Sequence, residues 1–446
     1  MPDVNFPETA FLQHLFSEIN VSGLSYCVLR NFQTLPKSLG GSDIDIAVLP
    51  EDKDEFSDLV IRVAKKHGGQ VICDYSSSGR FLRFLGNDGG EWWGAAIDLF
   101  WMIEYRGVEY ISARQVINNA DKFKDIRVAK ELDADLIALL KELLSNGKTR
   151  KDYLPKLVAQ YQIYEELTVE LMQASFSSET INLLQNCLSK GSENQENILE
   201  LVGLLRRDVL RRGLQKSPLA MISNFFARAL RLIRPPGVAV AVTGTDGAGK
   251  STLIEAVTPV LELALHSKIK YEHLRPNLFP ALGVISGKRS ADSGVPVSDP
   301  HEQEPSGVIG SLARLAYYSL DYILGYWVKV FPQLVKRPCV YLFDRYYYDI
   351  LIDQRRMRIS LPQWILRTVL IFSPQPNLIL CLGTSPEQIY ERKPETSLDE
   401  VSRQIDELKK LCLANNRAIW IDTGGGIDLS KGEILKAIQC SMSSRK

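Results

Sequence analysis

The stretch GTDGAGKS at 244–251 has the residue types and the spacing that bind a chain of phosphates. It fits the pattern G-x-x-x-x-G-K-[ST], in which glycines let backbone N–H groups approach an anion closely. Lys250 would neutralise the β- and γ-phosphate oxygens, and Ser251 would offer its hydroxyl to Mg²⁺. ATP and Mg²⁺ are therefore the expected ligands. The expected ATP-binding residues are Gly244, Thr245, Asp246, Gly247, Ala248, Gly249, Lys250, Ser251 and Thr252.

A second segment, VYLFDRYYYD at 340–349, places Asp344 and Arg345 at the end of an apolar strand. Parallel sheets bring such strand ends to the phosphate site. Asp344 would hold a magnesium-bound water, and Arg345 would clamp an anionic acceptor. A surface Asp–Arg pair is the alternative. Further along the chain, Arg392 and Lys393 form a basic pair that would close over a transferring phosphoryl group. An ordinary solvated helix face is the alternative for that pair.

Three acids in the N-terminal part form another candidate site. Asp43 and Asp45 lie in the strand-like segment DIDIAVL, where the period of two sends both carboxylates to one face. Asp98, in AAIDLFW, is an acid among apolar neighbours on the next plausible strand. Three such carboxylates can hold two Mg²⁺ ions for nucleotidyl transfer. A site that only binds ligand and unrelated surface acids are the alternatives.

Two arginines follow these acids in SGRFLRF, Arg80 and Arg83. We expect them to share one strand face. They would either steady a triphosphate or, as the favoured interpretation, form a solvated face.

The surrounding patterns predict a multidomain α/β chain. Residues 1–150 mix helical and strand patterns, with strands expected at 24–30, 43–49 and 95–101, and 151–235 are helical in period. From 236 to 446 apolar strands alternate with helices, which predicts a parallel sheet with helices on both sides, a three-layer arrangement. The stretch 276–306 is rich in Pro, Gly and Ser and is expected to be a long loop.

Composition is that of an ordinary globular protein, with 53 basic and 53 acidic residues. The seven cysteines contain no C-x-x-C pair, which favours reduced thiols and a cytoplasmic protein. The N-terminus lacks the order of a signal peptide. The apolar stretch 312–331 is interrupted by Arg314, Asp321 and Lys329, so we expect no membrane span.

The stretch 205–234 carries eight basic residues and one acid, with apolar residues at helical spacing. A basic amphipathic helix can lie on anionic lipid, which would give peripheral membrane contact. A helix packed between two domains is the favoured interpretation. A homodimer and binding of nucleic acid stay open, the latter as the less favoured partner.

Residues 236–446 resemble the thymidylate kinase type of nucleoside monophosphate kinase, on GTDGAGKST, the FDRYYYD strand end, PNLILCL and a basic lid helix in that order. The resemblance implies that Asp246 accepts a hydrogen bond from a sugar hydroxyl of the acceptor. It also implies that the catalytic arginine comes from the lid, as Arg392. The family's Arg-Glu-Pro-Gly stretch is replaced by EHLRP, which leaves Arg275 as an acceptor-binding remnant and points to an acceptor other than thymidylate.

Residues 1–150 resemble the DNA polymerase β-type nucleotidyltransferases, on LRN, LP and DIDI. Arg30 and Asn31 stand where that family has a Gly-Ser pair. The main hypothesis is thus a kinase of a small nucleotide- or sugar-phosphate-like acceptor, fused to a metal-dependent nucleotidyltransferase-like domain. A nucleotide-sensing ATPase switch with an inactive N-terminal site, and a nucleotidyltransferase modifying RNA or protein, are the alternatives.

Overall fold

The computed structural model describes residues 7–76, 79–148, 153–190, 195–216, 218–280 and 306–444. The chain divides into two compact units, Met1–Ile233 and Arg234–Lys446. The separate helical domain over 151–235 stays a prediction. The predicted loop at 276–306 lies mostly outside the described residues, because 281–305 are not among them.

Unit 1 begins with a mixed α/β region. Its strands are β1 Tyr26–Val28, β2 Ile44–Val48, β3 Gly69–Ser76, β4 Gly79–Asp88, β5 Glu91–Phe100, β6 Ile103–Tyr105, β7 Val108–Ile111, β8 Asp121–Phe123 and β9 Ile126–Val128, and its helices are α1 Pro7–Ser22, α2 Lys53–Lys66, α3 Ala113–Asn118 and α4 Glu131–Asn146.

A seven-stranded sheet in the order β3-β4-β5-β2-β1-β9-β8 is the frame of unit 1. Strands β2 and β5 are parallel neighbours, with Asp45 opposite Asp98. Alternate residues such as Ile44 and Ile46 enter the core under α1 and α2. The other face, which carries Asp45 and Ala47, is turned towards α4 and the helices that follow it. Strand periodicity therefore places Asp45 on the face opposite the core under α1 and α2.

Four helices complete unit 1: α5 Tyr153–Gln173, α6 Ser178–Lys190, α7 Gln195–Lys216 and α8 Pro218–Ile233. Leucines and other apolar residues of α5, α6 and α7 join α4 in one core. Within the described part of the section whose period predicts helices, the chain is helical except for the connection at 174–177 and the last two residues, 234–235. Helix α8 differs from the others because it contains no buried residue.

Unit 2 is built on five parallel strands in the order β11-β12-β10-β13-β14. The strands are β10 Val238–Gly244, β11 Lys270–His273, β12 Val340–Asp344, β13 Leu378–Gly383 and β14 Ala418–Asp422. The helices are α9 Lys250–Leu265, α10 Val308–Gly325 with a π-helical continuation Tyr326–Val330, α11 Phe331–Lys336, α12 Tyr348–Ile352, α13 Gln363–Phe372, α14 Pro386–Arg392, α15 Leu398–Ala414 and α16 Ile427–Ser443. The predicted parallel sheet is confirmed.

Two further features concern the cysteines and the length of the apolar helices. All seven cysteines are free thiols. Among the described residues, no helix combines the length and the apolar character needed to cross a bilayer.

Candidate functional site

The loop that the sequence predicts to bind phosphate, called the phosphate loop below, connects the end of β10 to the start of α9. β10 is buried along its whole length, so it fixes the loop from one side. Gly247 and Gly249 have φ angles of 86° and 83°, which L side chains rarely adopt. A Cβ at Gly247 would also lie 3.0 Å from the carbonyl oxygen of Ile389. The glycines of the motif are thus required by backbone conformation and by the nearness of α14.

Lys250 is the first residue of α9, and its side chain is buried. Its ammonium donates hydrogen bonds to the carbonyl oxygens of Gly244 and Thr245, at 3.0 and 2.9 Å. Burial, followed by the charge of Arg345, lowers the pKa of Lys250 to about 7. Ser251 and Thr252 are exposed in the first turn of the helix. The ammonium group of Lys250 is therefore buried within the loop, whereas the side chains of Ser251 and Thr252 are exposed.

Asp246 lies in the loop but binds arginines rather than the backbone amides. Its Oδ1 accepts a hydrogen bond from Arg345 at 2.5 Å, and its Oδ2 pairs with Arg356. Burial would raise the pKa of Asp246, but Arg345, Lys250 and Arg356 together lower it to about 2. The carboxylate is therefore charged, and it joins three basic side chains.

Arg345 is positioned by the end of β12. Its φ of 73° is unusual for a residue other than glycine, and its backbone N–H donates to the carbonyl of Val242 at 2.8 Å. Its guanidinium also donates to Asp349 at 3.0 Å, and Asp349 in turn accepts from Thr243 at 3.1 Å. A backbone held in a sparsely populated conformation by its surroundings is typical of functional sites.

Arg356 was not among the predicted site residues. It follows Gln354 and Arg355 in the run QRRMR, which precedes no recognisable motif. The density of arginine in this run is the sequence feature that could have identified Arg356 as a site residue.

Asp344 ends β12 and is buried beside the phosphate loop. Tyr271 donates its hydroxyl hydrogen to Asp344 Oδ2 at 2.9 Å, and Nδ1 of His273 lies 3.4 Å from the same oxygen. Burial would raise the pKa of Asp344, but the hydrogen bonds from His273 and Tyr271 lower it. Its other oxygen, Oδ1, is buried without a hydrogen-bond partner in the described part of the chain. A carboxylate oxygen in that situation is suited to a cation or its water.

Two predicted residues have partners elsewhere in unit 2. Arg275 is buried, lies 3.1 Å from Asp321, and stacks over the rings of Tyr317 and Tyr318. Arg392 donates to the backbone carbonyl of Thr423 at 3.0 Å. Lys250, Asp246, Arg345 and Asp344 therefore lie together at the ends of β10 and β12. Arg275 instead contacts Asp321 and two tyrosine rings, and Arg392 contacts the backbone of Thr423.

The three acids of unit 1 form one cluster. Carboxylate oxygens of Asp43, Asp45 and Asp98 lie within 4.8 Å of one another, and all three residues are buried. Arg30 lies 3.6 Å from Asp43 and pairs with Asp45, while Arg83 pairs with Asp98. Oδ1 of Asp45 is buried without a hydrogen-bond partner among the described residues.

Burial raises the pKa of Asp98 to about 6, although Arg83 opposes the rise and the charges of Asp45 and Asp43 add to it. Three buried carboxylates against two guanidinium groups are costly unless further positive charge arrives. The cluster therefore has the donor set and the charge imbalance of a divalent-cation site.

The expectation that Arg80 and Arg83 share a strand face is wrong. They are three residues apart on β4, whose pairing with β5 is regular, so their side chains point to opposite faces. Arg80 pairs with Asp74 on one face, and Arg83 reaches the acid cluster on the other.

A cavity of about 240 Å³ adjoins the acid cluster. Its lining includes Arg30, Asp45, Phe81 and Phe100, together with Lys141 of α4, whose ammonium lies 5.6 Å from the centroid of the Phe100 ring. The cluster is thus open to a ligand that combines an anionic part with an apolar or aromatic part.

Comparisons with known proteins add little to this geometry. No family model matches the chain, and no curated protein matches it. Among solved structures, a thymidylate kinase from Ehrlichia chaffeensis aligns with 45% of this chain and 98% of its own, at 15% identity and a TM-score of 0.29. A likeness at this level does not indicate an activity.

Proposed function

We propose that unit 2 transfers the γ-phosphoryl group of ATP to a small anionic acceptor, similar to a nucleotide or a sugar phosphate. The supporting observation is the cluster of Asp246, Arg345 and Arg356 beside Lys250. ATP hydrolysis alone requires a phosphate loop and a water. Two arginines converging beside that loop suit a second, anionic substrate.

The geometry of the cluster supports this acceptor class. Asp246 is one carboxylate shared by two guanidinium groups, and Lys250 lies 3.9 Å from it. Each guanidinium also pairs with a further carboxylate, Asp349 or Asp353. A phosphate monoester would compete with these carboxylates and accept hydrogen bonds from both guanidinium groups. Asp246 would stay charged at neutral pH and hold the arginines in position, or accept a hydrogen bond from an acceptor hydroxyl.

The residues of unit 2 also fit Mg²⁺. Asp344 offers its unpartnered Oδ1, and Ser251 offers an exposed hydroxyl. Bound there with ATP, the ion would neutralise charge on the β- and γ-phosphates. Lys250 would exchange its two carbonyl partners for phosphate oxygens. Arg392 would contribute only after leaving Thr423.

The test is phosphoryl transfer by the full chain from γ-labelled ATP to a panel of nucleoside monophosphates and sugar phosphates. We expect a labelled product that Lys250→Met reduces by more than about a hundredfold, since this lysine neutralises the transferring group. Lys436→Met, at an exposed lysine of α16, is the matched control and should keep full activity.

A variant at the acceptor cluster separates transfer from hydrolysis. Arg356→Gln should raise the KM for the acceptor and leave the KM for ATP nearly unchanged. Steady ATP hydrolysis that no acceptor affects would instead support the nucleotide-driven switch. A labelled acceptor product that survives in Lys250→Met would contradict the kinase.

For unit 1 we propose metal-dependent nucleotidyl transfer, because three carboxylates meet beside a ligand-sized cavity. Asp43, Asp45 and Asp98 would hold the cations, which would neutralise a nucleoside triphosphate. Arg30 and Arg83 would orient the acids and contact the phosphates.

Labelling with α-labelled nucleoside triphosphates tests this second proposal. Asp45→Asn should abolish transfer, and Asp74→Asn, on the opposite face of the sheet, should not. Label on a small molecule would support the two-site enzyme, whereas label on RNA or protein would support a macromolecular substrate. Absence of any label transfer would favour a site that only binds ligand.

A further inference from the structure

Helix α8, Pro218–Ile233, has its apolar side turned away from unit 1. Apolar residues recur at helical spacing along it, and none of its residues is buried. Leu219, Phe225 and Ile233 are 79%, 69% and 78% exposed. Ile222, Phe226 and Leu230 are exposed on the same side. A surface helix normally turns its apolar stripe to the core, so this arrangement requires a reason.

The opposite side of α8, which carries Ala220, Met221 and Asn224, is the one that contacts the rest of unit 1. Gly107 lies so close that a Cβ there would be 2.7 Å from the carbonyl oxygen of Ala220. Met221 reaches the core beside Gly213. The orientation of the helix is therefore fixed by close contacts, and the apolar side is left outward.

Beside α8 lies a cavity of about 280 Å³ rich in arginine. Arg228 and Arg231 enter it from the helix, and Arg106 enters it from the turn before β7. Glu104 is the one acid among its lining residues, and its carboxylate accepts a hydrogen bond from the N–H of Gly107. The cavity is thus cationic and of a size that accepts a phosphate group.

The charge of α8 itself is also positive. It carries Arg228 and Arg231 and no acid, and Arg234 follows it directly. A second copy of the chain placed on this face would bring two cationic rims together. An anionic bilayer complements both parts of the surface, because acyl chains accept the apolar side and phosphates accept the arginines.

We propose that α8 docks unit 1 onto a bilayer containing anionic phospholipid, with headgroup phosphates in the cavity formed by Arg106, Arg228 and Arg231. This inference depends on neither proposed catalytic activity. It assigns to α8 an interfacial position in which its axis lies along the membrane surface.

Flotation of the full chain with lipid vesicles tests it. We expect binding to phosphatidylcholine vesicles containing phosphatidylglycerol, little binding to phosphatidylcholine alone, and weakening by salt. Phe225→Ser with Phe226→Ser, and separately Arg228→Glu with Arg231→Glu, should each lower the bound fraction by more than about tenfold.

The matched controls change equivalent side chains elsewhere. Phe372→Ser removes a phenylalanine that is equally exposed, on α13. Arg62→Glu with Lys65→Glu reverses two exposed charges on α2. Both controls should bind vesicles like the wild type, and thermal unfolding should be unchanged in every variant.

A further measurement uses Phe225→Trp and compares its emission with that of the wild type, which has six tryptophans. The difference between the two spectra should shift to shorter wavelength with anionic vesicles, whereas the corresponding difference for Phe372→Trp should not. Failure of the wild type to float, or equal binding by the α8 variants and the controls, would overturn the proposal. A lipid-free dimer that the Phe225 and Phe226 changes convert to monomer would overturn it in favour of a second copy.

Discussion

Replacing Lys250 should stabilise the protein in the absence of nucleotide. The pKa of Lys250 falls from 10.5 to about 7 in the folded unit, chiefly through burial. Each pH unit between these values corresponds to about 1.4 kcal/mol, so the buried ammonium costs about 4 kcal/mol at pH 7. Lys250→Met removes this cost and loses two hydrogen bonds to carbonyl groups, at about 1 kcal/mol each. The expected net gain is about 2 kcal/mol.

The pH dependence identifies the cause. The unfolded chain keeps the lysine protonated up to pH 10.5, whereas the folded unit does so only up to about pH 7. The folded state therefore releases its proton first, and wild-type stability rises with pH between about 7 and 10.5. The advantage of Lys250→Met should be largest below pH 7 and should shrink through that window, where the lost hydrogen bonds oppose it.

The assay is thermal unfolding, followed at the transition that MgATP shifts in the wild type. A gain of about 2 kcal/mol raises the Tm of a unit of this size by about 5 °C. MgATP should raise the Tm of the wild type and leave that of Lys250→Met unchanged. Lys436→Met should show neither effect. An unchanged or lower Tm for Lys250→Met at pH 7, or an advantage independent of pH, would refute the reasoning.

Three further predictions concern the two sites. Asp246→Asn should lower stability by about 2 kcal/mol at pH 7, because the folded pKa of about 2 lies below the ordinary 3.8; chemical denaturation should show this loss disappearing as the pH falls from about 4 to 2. Asp98→Asn should weaken Mn²⁺ binding at least about tenfold by calorimetry, whereas Asp74→Asn should leave it unchanged; equal weakening would remove the metal site. Gly247→Ala should destabilise unit 2 by at least about 1 kcal/mol and weaken ATP binding, because of its positive φ and the nearby carbonyl. Gly203→Ala, in open space on α7, should stabilise by up to about 1 kcal/mol, and an equal effect of both changes would contradict the argument.

The strand–loop–helix arrangement around 244–251 and the parallel sheet of unit 2 could be predicted from the sequence because their determinants are local. Glycine at 247 and 249 permits the positive φ angles, and Lys250 follows Gly249 directly as the first residue of α9. The acids at 43 and 45 share a face for the same reason, since a strand alternates with a period of two.

Partners far apart in the chain were decided by the tertiary structure alone. Arg356 reaches Asp246 across 110 residues, and Arg275 pairs with Asp321. The register of β4 against β5 sends Arg83, and not Arg80, to the acid cluster. Periodicity showed that α8 is amphipathic, but only its close contact with Gly107 showed which side faces outward. Local patterns fix the conformation of a segment, whereas strand order, register and packing determine which distant charges meet.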